Sequence, residues 1–348
     1  MRRETKKLFY GKVGIGGDSP ISVQSMTNTD TRDIKSTINQ IKRLEKEGCD
    51  LIRVAVLDND AAIAIKDIKK GINIPIISDI HFDYRLALEA IKSGVDGLRI
   101  NPGNIGDKKK VEEVVKACKE RQVPIRIGVN SGSISKEVLE KFGGVNEDSM
   151  VYSAMEHVRI LEELDYTNIK ISLKATDVRL TVKAYEKISN MVNYPLHVGI
   201  TEAGTPWSGT IKSSIGIGSL LLRGIGDTIR VSLTGDPVEE VKVGKQILRT
   251  LGILKDKIEI ISCPTCGRTQ IDLINLANRV EERLKDIYKP IKVAIMGCAV
   301  NGPGEAREAD IGIAGGKGCG LIFKKGKIIK KVKEEDLLDE LVREIDKL

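Results

Sequence analysis

The sequence predicts an α/β chain, a (β/α)8 TIM barrel followed by a small α+β domain. Three observations lead there. Between residues 20 and 235 one phrase recurs eight times: a β-branched run ends in polar residues and gives way to an amphipathic helical stretch. After residue 250 that rhythm stops, and shorter strands, helices and Gly-rich turns take over. Two strand-like runs there, "KIEIISC" and "KVAIMGC", each end in cysteine. This reading places the barrel at residues 1–250, a connector at 251–257 and the second domain at 258–348.

The eight barrel runs are "PISVQSM" (20–26), "DLIRVAV" (50–56), "IPIISDIH" (74–81), "GLRINPG" (97–103), "IRIGVNSG" (125–132), "IKISLKA" (169–175), "LHVGITEAG" (196–204) and "TIRVSLTG" (228–235). Strands covered by helices on their outer face read as near-continuous Val/Ile runs. Segments between them, such as "TINQIKRLEKEG" and "RLALEAIKSG", carry apolar residues at helical spacing and stop at Gly48 and Gly94. An open doubly wound sheet is the alternative arrangement of the same phrase. "TPWSG" (205–209), which holds the only tryptophan, reads as a mobile loop.

Barrel chemistry gathers at the C-terminal ends of the strands. Those ends carry Arg53, Asp79 and His81, then Arg99 and Asn101, Arg126 and Asn130, and Lys170 and Lys174. The last two runs add His197 and Glu202, then Arg230 and Ser232. Strand alternation sets Arg126 with Asn130, Lys170 with Lys174 and Arg230 with Ser232 on common faces. Arg53, Arg99, Arg126, Lys174 and Arg230 would then converge on one mouth. So many cations repel one another unless an anion sits among them, and a diphosphate suits them better than Asp79 and Glu202 alone. The turns "NPGNIG" and "LTGDP" offer backbone N–H groups to the same anion. Glu202, an acid at a basic mouth, reads either as an ion-pair partner or as a general acid.

In the second domain, Cys263 and Cys266 of "CPTCGR" and Cys298 of "MGCAVNGPGEAREAD" close two strands. Parallel pairing of those strands would bring three thiolates together, with Cys319, Glu305 or an exogenous group as fourth ligand. Zinc and iron–sulfur sites both use such thiolates. Zinc ribbons pair two CxxC units, and no second unit exists here, so an odd fourth ligand favours a cubane cluster. Cys49 and Cys118 read as buried core thiols.

Composition narrows the partners. The 348 residues carry a net charge of +7, which suits an anionic substrate or an acidic protein. Aromatics make up 3%, too few for a platform that stacks bases, and the charge forms no nucleic-acid-binding patch. No apolar run spans a bilayer, and the basic start lacks a signal-peptide core. Sparse, uneven cysteines point to reduced thiols in the cytoplasm.

"CPTCGR" followed by "MGCAVNGPGEAREADIG" resembles the GcpE/IspG family, the 4-hydroxy-3-methylbut-2-enyl diphosphate synthases, in its short bacterial form. "PISVQSMTNTDTRD", "GLRINPGNIG", "IRIGVNSGS", "SLKATD", "GITEAG" and "TIRVSLTGDP" carry the resemblance through the barrel. It implies reduction of 2-C-methyl-D-erythritol 2,4-cyclodiphosphate in non-mevalonate isoprenoid synthesis. It also implies a [4Fe–4S] cluster on Cys263, Cys266, Cys298 and Glu305, with Glu202 and Glu305 as catalytic residues. Substrate contacts fall on Arg53, Arg99, Arg126, Asn130, Lys174, Arg230 and Ser232. Reduced flavodoxin or ferredoxin would be the electron donor, and the assembly a head-to-tail homodimer. The alternative is a phosphate-binding barrel of the pterin-binding synthase type with a structural zinc module.

Overall fold

A computed structural model describes residues 2–298, 304 and 306–348. It divides into two compact units, Met1–Leu251 and Gly252–Leu348. The first opens with a hairpin, β1 (Leu8–Tyr10) and β2 (Val13–Ile15), that the sequence reading did not anticipate. The expected alternation follows: β3 (Ser22–Met26), α1 (Ile34–Lys46), β4 (Leu51–Ala55), α2 (Asn59–Lys70), β5 (Ile76–Asp79), α3 (Tyr84–Lys92), β6 (Gly97–Arg99), α4 (Lys108–Arg121) and β7 (Ile125–Asn130). Then come α5 (Lys136–Phe142), α6 (Glu147–Glu163), β8 (Ile169–Lys174), α7 (Val178–Ser189), β9 (His197–Val198), α8 (Pro206–Leu222), β10 (Thr228–Ile229) and α9 (Pro237–Thr250).

The eight strands β3 to β10 pair in parallel in the order β8-β7-β6-β5-β4-β3-β10-β9. A parallel bridge between Ile171 and Leu196 closes the ring, so the sheet is a barrel rather than an open doubly wound one. The Ile171 N–H donates to the Pro195 carbonyl at 3.0 Å across the same seam.

Helix starts are set by aspartates. Asp33, Asp58, Asp83, Asp107, Asp177 and Asp236 each cap a helix and accept a backbone N–H from its first turn. Each such cap stabilises its helix by about 1 kcal/mol and so fixes where a strand-to-helix loop ends. The segment read as a mobile loop is different in kind: Pro206 and Trp207 begin α8. Proline at the first helical position has no N–H to lose there.

The hairpin plugs the N-terminal end of the barrel. Tyr10 and Ile15 are fully buried against Leu51 and Ile77, near the starts of β4 and β5. Gly97 must be glycine here, because a Cβ would lie 2.3 Å from the Tyr10 ring. Cys49 and Cys118 are buried, as expected of core thiols.

The second unit contains β11 (Glu259–Ser262), α10 (Leu273–Leu284), β12 (Lys292–Met296), β13 (Ile311–Gly316), β14 (Cys319–Lys324), β15 (Lys327–Lys333) and α11 (Leu337–Asp346). Its sheet runs in sequence order from β11 to β15, parallel through β13 and antiparallel beyond. Alternation on β12 splits the core. Val293 and Ile295 pack with Leu276 and Val280 of α10 and Leu341 of α11. Ala294 and Met296 face the other way, against Ala306, Ala309 and Phe323.

Candidate active site

Most (β/α)8 barrels fill their interior with branched apolar side chains. This one places charges there. Arg53, Arg99, Arg126 and Lys174 are each less than one-tenth exposed, and Arg230 stands directly after β10. Two carboxylates hold part of this group. Asp79 lies 3.5 Å from Arg53 Nε and 3.2 Å from Arg99 Nη1. Glu240, on α9, lies 3.5 Å from Arg230 Nη2, and its other oxygen accepts the Leu233 N–H at 3.0 Å. Arg53 also rests its guanidinium on Met26 Sδ at 3.0 Å. Asn101 and Gly128 exchange two hydrogen bonds of 3.0 Å, and Arg99 Nη2 donates to the Gly128 carbonyl at 3.0 Å. Gly128 is needed there, since a Cβ would come within 2.8 Å of Arg99 Nε.

Several donor nitrogens of the group have no partner among the described residues. Arg126 Nε and Nη1 are buried without a hydrogen bond, as are Arg99 Nε and Arg230 Nε. Among the described residues Lys174 Nζ has only the neutral His197, 3.3 Å away, whose Nδ1 lies 2.7 Å from Thr228 Oγ1. Burial, then Arg53 and Arg99, push the Arg126 pKa well down. Burial, then Arg126 and Arg230, do the same to Lys174. Burial works against the Asp79 carboxylate, but Arg53 and Arg99 outweigh it and hold its pKa below the usual value. Deeper still, Lys170 is fully buried, its Nζ unbonded and 4.1 Å above the Tyr10 ring. This chamber is built for an anion that supplies the missing acceptors.

The remaining barrel residues of the sequence reading sit around this chamber. Glu202 is exposed in the loop after β9 with φ +49°, a left-handed conformation that costs a non-glycine residue about 1 kcal/mol. Thr176 Oγ1 donates to its carboxylate at 3.5 Å. Asn130 ends β7, where its side chain accepts the Ser133 N–H. Ser232 is half-buried in the loop after β10. His81 lies 3.1 Å from Arg99 Nη1 and stays half exposed. Glu240 was missed. Its signal was helical phase, which sets Glu240 beside Pro237, Val241 and Gly244 on the buried face of α9 while Glu239 points outward.

In the second unit β11 and β12 are parallel neighbours, as the cysteine argument required. The Cys263 N–H donates to the Ile295 carbonyl at 3.1 Å, and the Gly297 N–H donates to Cys263 Sγ at 3.2 Å. A hydrogen bond from the Arg268 backbone is the main cause that lowers the Cys266 pKa toward thiolate. Cys298 follows two residues after β12 and is half-buried. Among the described residues no three potential ligands stand close enough to hold a metal. Glu305 and residues 299–303 lie outside the described residues. Cys319 starts β14, two strands from β12, about 10 Å away at ordinary strand spacing. The donors present nevertheless fit a thiolate-held cluster: soft sulfur ligands with N–H groups aimed at sulfur.

A closed parallel barrel with a cationic interior, joined to a sheet whose parallel strands end in cysteine, defines an anion-binding barrel protein with an accessory thiolate domain. The description "GcpE TIM-barrel domain" matches residues 5–245 and "GcpE protein C-terminal domain" matches residues 259–347, and the chain belongs to the GcpE family. It is 67% identical over 345 residues to the 4-hydroxy-3-methylbut-2-en-1-yl diphosphate synthase (flavodoxin) of Clostridium perfringens, covering 99% of each chain. It is 65% identical over 347 residues to the protein of the same name from Clostridium acetobutylicum, covering 100% of this chain and 99% of that one. Among solved structures, dihydropteroate synthase from Stenotrophomonas maltophilia aligns with a TM-score of 0.53 at 14% identity, over 71% of this chain and 97% of that one. That likeness is one of fold alone, and the pterin-synthase alternative gains no support from it.

Proposed function

We propose that this chain is an oxidoreductase that opens 2-C-methyl-D-erythritol 2,4-cyclodiphosphate reductively to (E)-4-hydroxy-3-methylbut-2-enyl diphosphate, the activity for which its full-length relatives are named. The observation that carries the reading is the buried, unpartnered N–H groups of Arg126 within a ring of cations. Arg53, Arg99, Arg126, Lys174 and Arg230 bind the diphosphate, and Asn130 and Ser232 orient it. As the ring C–O bond breaks, charge grows on the diphosphate oxygen. Donors already in place stabilise it without reorganisation. Glu202 is the acidic group at the mouth that serves the hydroxyl departing as water.

Cys263, Cys266, Cys298 and Glu305 would hold a [4Fe–4S] cluster, which when bound supplies electrons one at a time. Flavodoxin, after which the relatives are named, is the expected donor, with ferredoxin as the other candidate. The assembly we favour is a homodimer whose sites combine Glu202 of one chain with the cysteines of its partner. Active hybrids of Glu202→Gln and Cys298→Ser subunits would support that arrangement, and verified hybrids without activity would exclude it. We place the enzyme in the cytoplasm, where its free thiols stay reduced. No helix among the described residues is long and apolar enough to cross a membrane.

The test is anaerobic reconstitution with iron and sulfide, then assay with the cyclodiphosphate and reduced flavodoxin. Dehydrated diphosphate product and a brown, iron-loaded protein are expected. A colourless zinc protein without turnover would refute the reading.

A further inference from the structure

The edge of the second unit's sheet is unusually basic. Strand β15, "KIIKKVK", is the outermost strand and is exposed along nearly its whole length. Part of its charge is used internally. Lys330 pairs with Glu340 of α11, Lys333 with Glu335, and the neighbouring Lys324 with Glu344. Lys317, Lys325, Lys327 and Lys331 are exposed, and their side chains make no ion pair or hydrogen bond among the described residues. Between them Ile328 and Ile329 are 57% and 46% exposed. An apolar centre ringed by charge is the make-up of a protein docking patch.

Its position ties it to the cysteines. Strands β11, β12 and β13 run parallel, and their C-terminal ends reach Cys263, Cys298 and Gly316 on one side of the sheet. In the antiparallel part Gly316 pairs with Cys319, and Cys319 pairs with Lys333. The Lys333 end of β15 is therefore level with the cysteine end, three strands or about 14 Å from β12, while Lys327 pairs with Lys324 at the other end, about 20 Å along the strand. Lys317 lies in the turn at that same end.

We propose that this basic edge, running from Lys317 at the cysteine end past Lys331 to Ile329, Ile328 and Lys327, is where an acidic, flavin-carrying electron donor docks. The proposal rests on the reductive reading above and names the surface that its donor uses. Each encounter passes one electron: the donor's reduced flavin is oxidised and this chain is reduced. Two encounters supply one turnover, and no atoms are exchanged.

Edge strands also carry lysines simply to prevent sheet-to-sheet pairing. Charge reversal separates the two roles, because glutamate blocks edge pairing as well as lysine does but repels an acidic donor. The experiment compares the wild-type holoenzyme with a Lys327→Glu/Lys331→Glu double variant. Turnover is driven by reduced flavodoxin or by reduced methyl viologen, a small cation that needs no protein docking. The variant is expected to lose about tenfold or more in flavodoxin-driven kcat/KM at low salt and to lose the wild type's decline with added salt. Viologen-driven turnover and thermal stability should stay unchanged.

Flavodoxin-driven rates and salt slopes equal to wild type would overturn the proposal. Binding of oxidised flavodoxin to immobilised wild type and variant is measured separately, so the docking surface is tested without turnover. Salt-sensitive binding by wild type that the variant loses supports the surface. Equal binding, or none by wild type, rejects it. Absence of viologen-driven turnover in wild type would instead count against the enzymatic reading.

Discussion

Replacing Arg126 with methionine should make the ligand-free protein more stable while weakening its hold on a diphosphate. Arg126 is 2% exposed, and its Nε and Nη1 have no hydrogen-bond partner. Burial and the neighbouring Arg53 and Arg99 all disfavour its charge. An unsatisfied buried donor costs about 1–3 kcal/mol. Replacing buried charges with apolar side chains of similar volume stabilises proteins by about 1–4 kcal/mol in favourable cases. For a unit of this size each 1 kcal/mol raises Tm by about 2–4 °C. Inorganic pyrophosphate at about one hundred times its Kd stabilises wild type by about 2.7 kcal/mol. Loss of one charge-assisted contact weakens affinity by about tenfold or more, which cuts that increment to about 1.4 kcal/mol or less. Thermal melts with and without pyrophosphate check both halves. A variant less stable than wild type when empty would show that Arg126 is a strut of the fold. An unchanged pyrophosphate increment would move the anion site elsewhere.

Three further outcomes are expected. Burial, then Arg126, hold the Lys170 pKa well below its ordinary value of 10.5, so the unfolded chain takes up a proton that the folded chain refuses. Stability conferred by this site therefore rises with pH until about 10.5, and the advantage of Lys170→Met over wild type should shrink by up to about 1.4 kcal/mol per pH unit toward that value; a pH-independent difference in melting would contradict this. Cys319→Ser should keep its cluster iron and most activity while Cys263→Ser and Cys298→Ser lose both, as iron analysis of anaerobic protein would record; iron loss in the Cys319 variant would make it a ligand. Glu202→Gly should relieve the left-handed backbone and leave stability unchanged or up to about 1 kcal/mol higher, yet cut turnover by about one-hundredfold or more; near-normal turnover would remove Glu202 from the chemistry.

The barrel was legible because parallel strands are buried on both faces and so announce themselves as β-branched runs. The lengths were not. The run at 196–204 looks like a long strand, but the ladder of β9 covers only His197–Val198. Gly199 then lies against the Arg230 carbonyl, where a Cβ would meet it at 2.3 Å. Such a close approach is a tertiary fact that no local propensity encodes. Hairpin β1–β2 escaped for the opposite reason, since strands of three residues give too short a window for periodicity. Trp207 looked like loop chemistry, whereas Pro206 before it was the available signal for a helix start.

The charged interior was legible residue by residue, because cations at the ends of consecutive parallel strands have nowhere to go but one mouth. Their pairing was hidden. The structure pairs Asp79 with Arg53 and Arg99, and Glu240 with Arg230, and among the described residues Arg126 and Lys174 form no ion pair. The ring is thus two populations. Paired arginines are held in place by carboxylates that would be left buried and unpaired without them, so their removal damages the fold as well as the site. Arg126 and Lys174 feel Asp79 and Glu240 only from a distance, and an arriving anion supplies the direct partner they lack. Sequence spacing treats all five alike, while the distances decide which of them separates binding from stability, and that is Arg126 rather than Arg99.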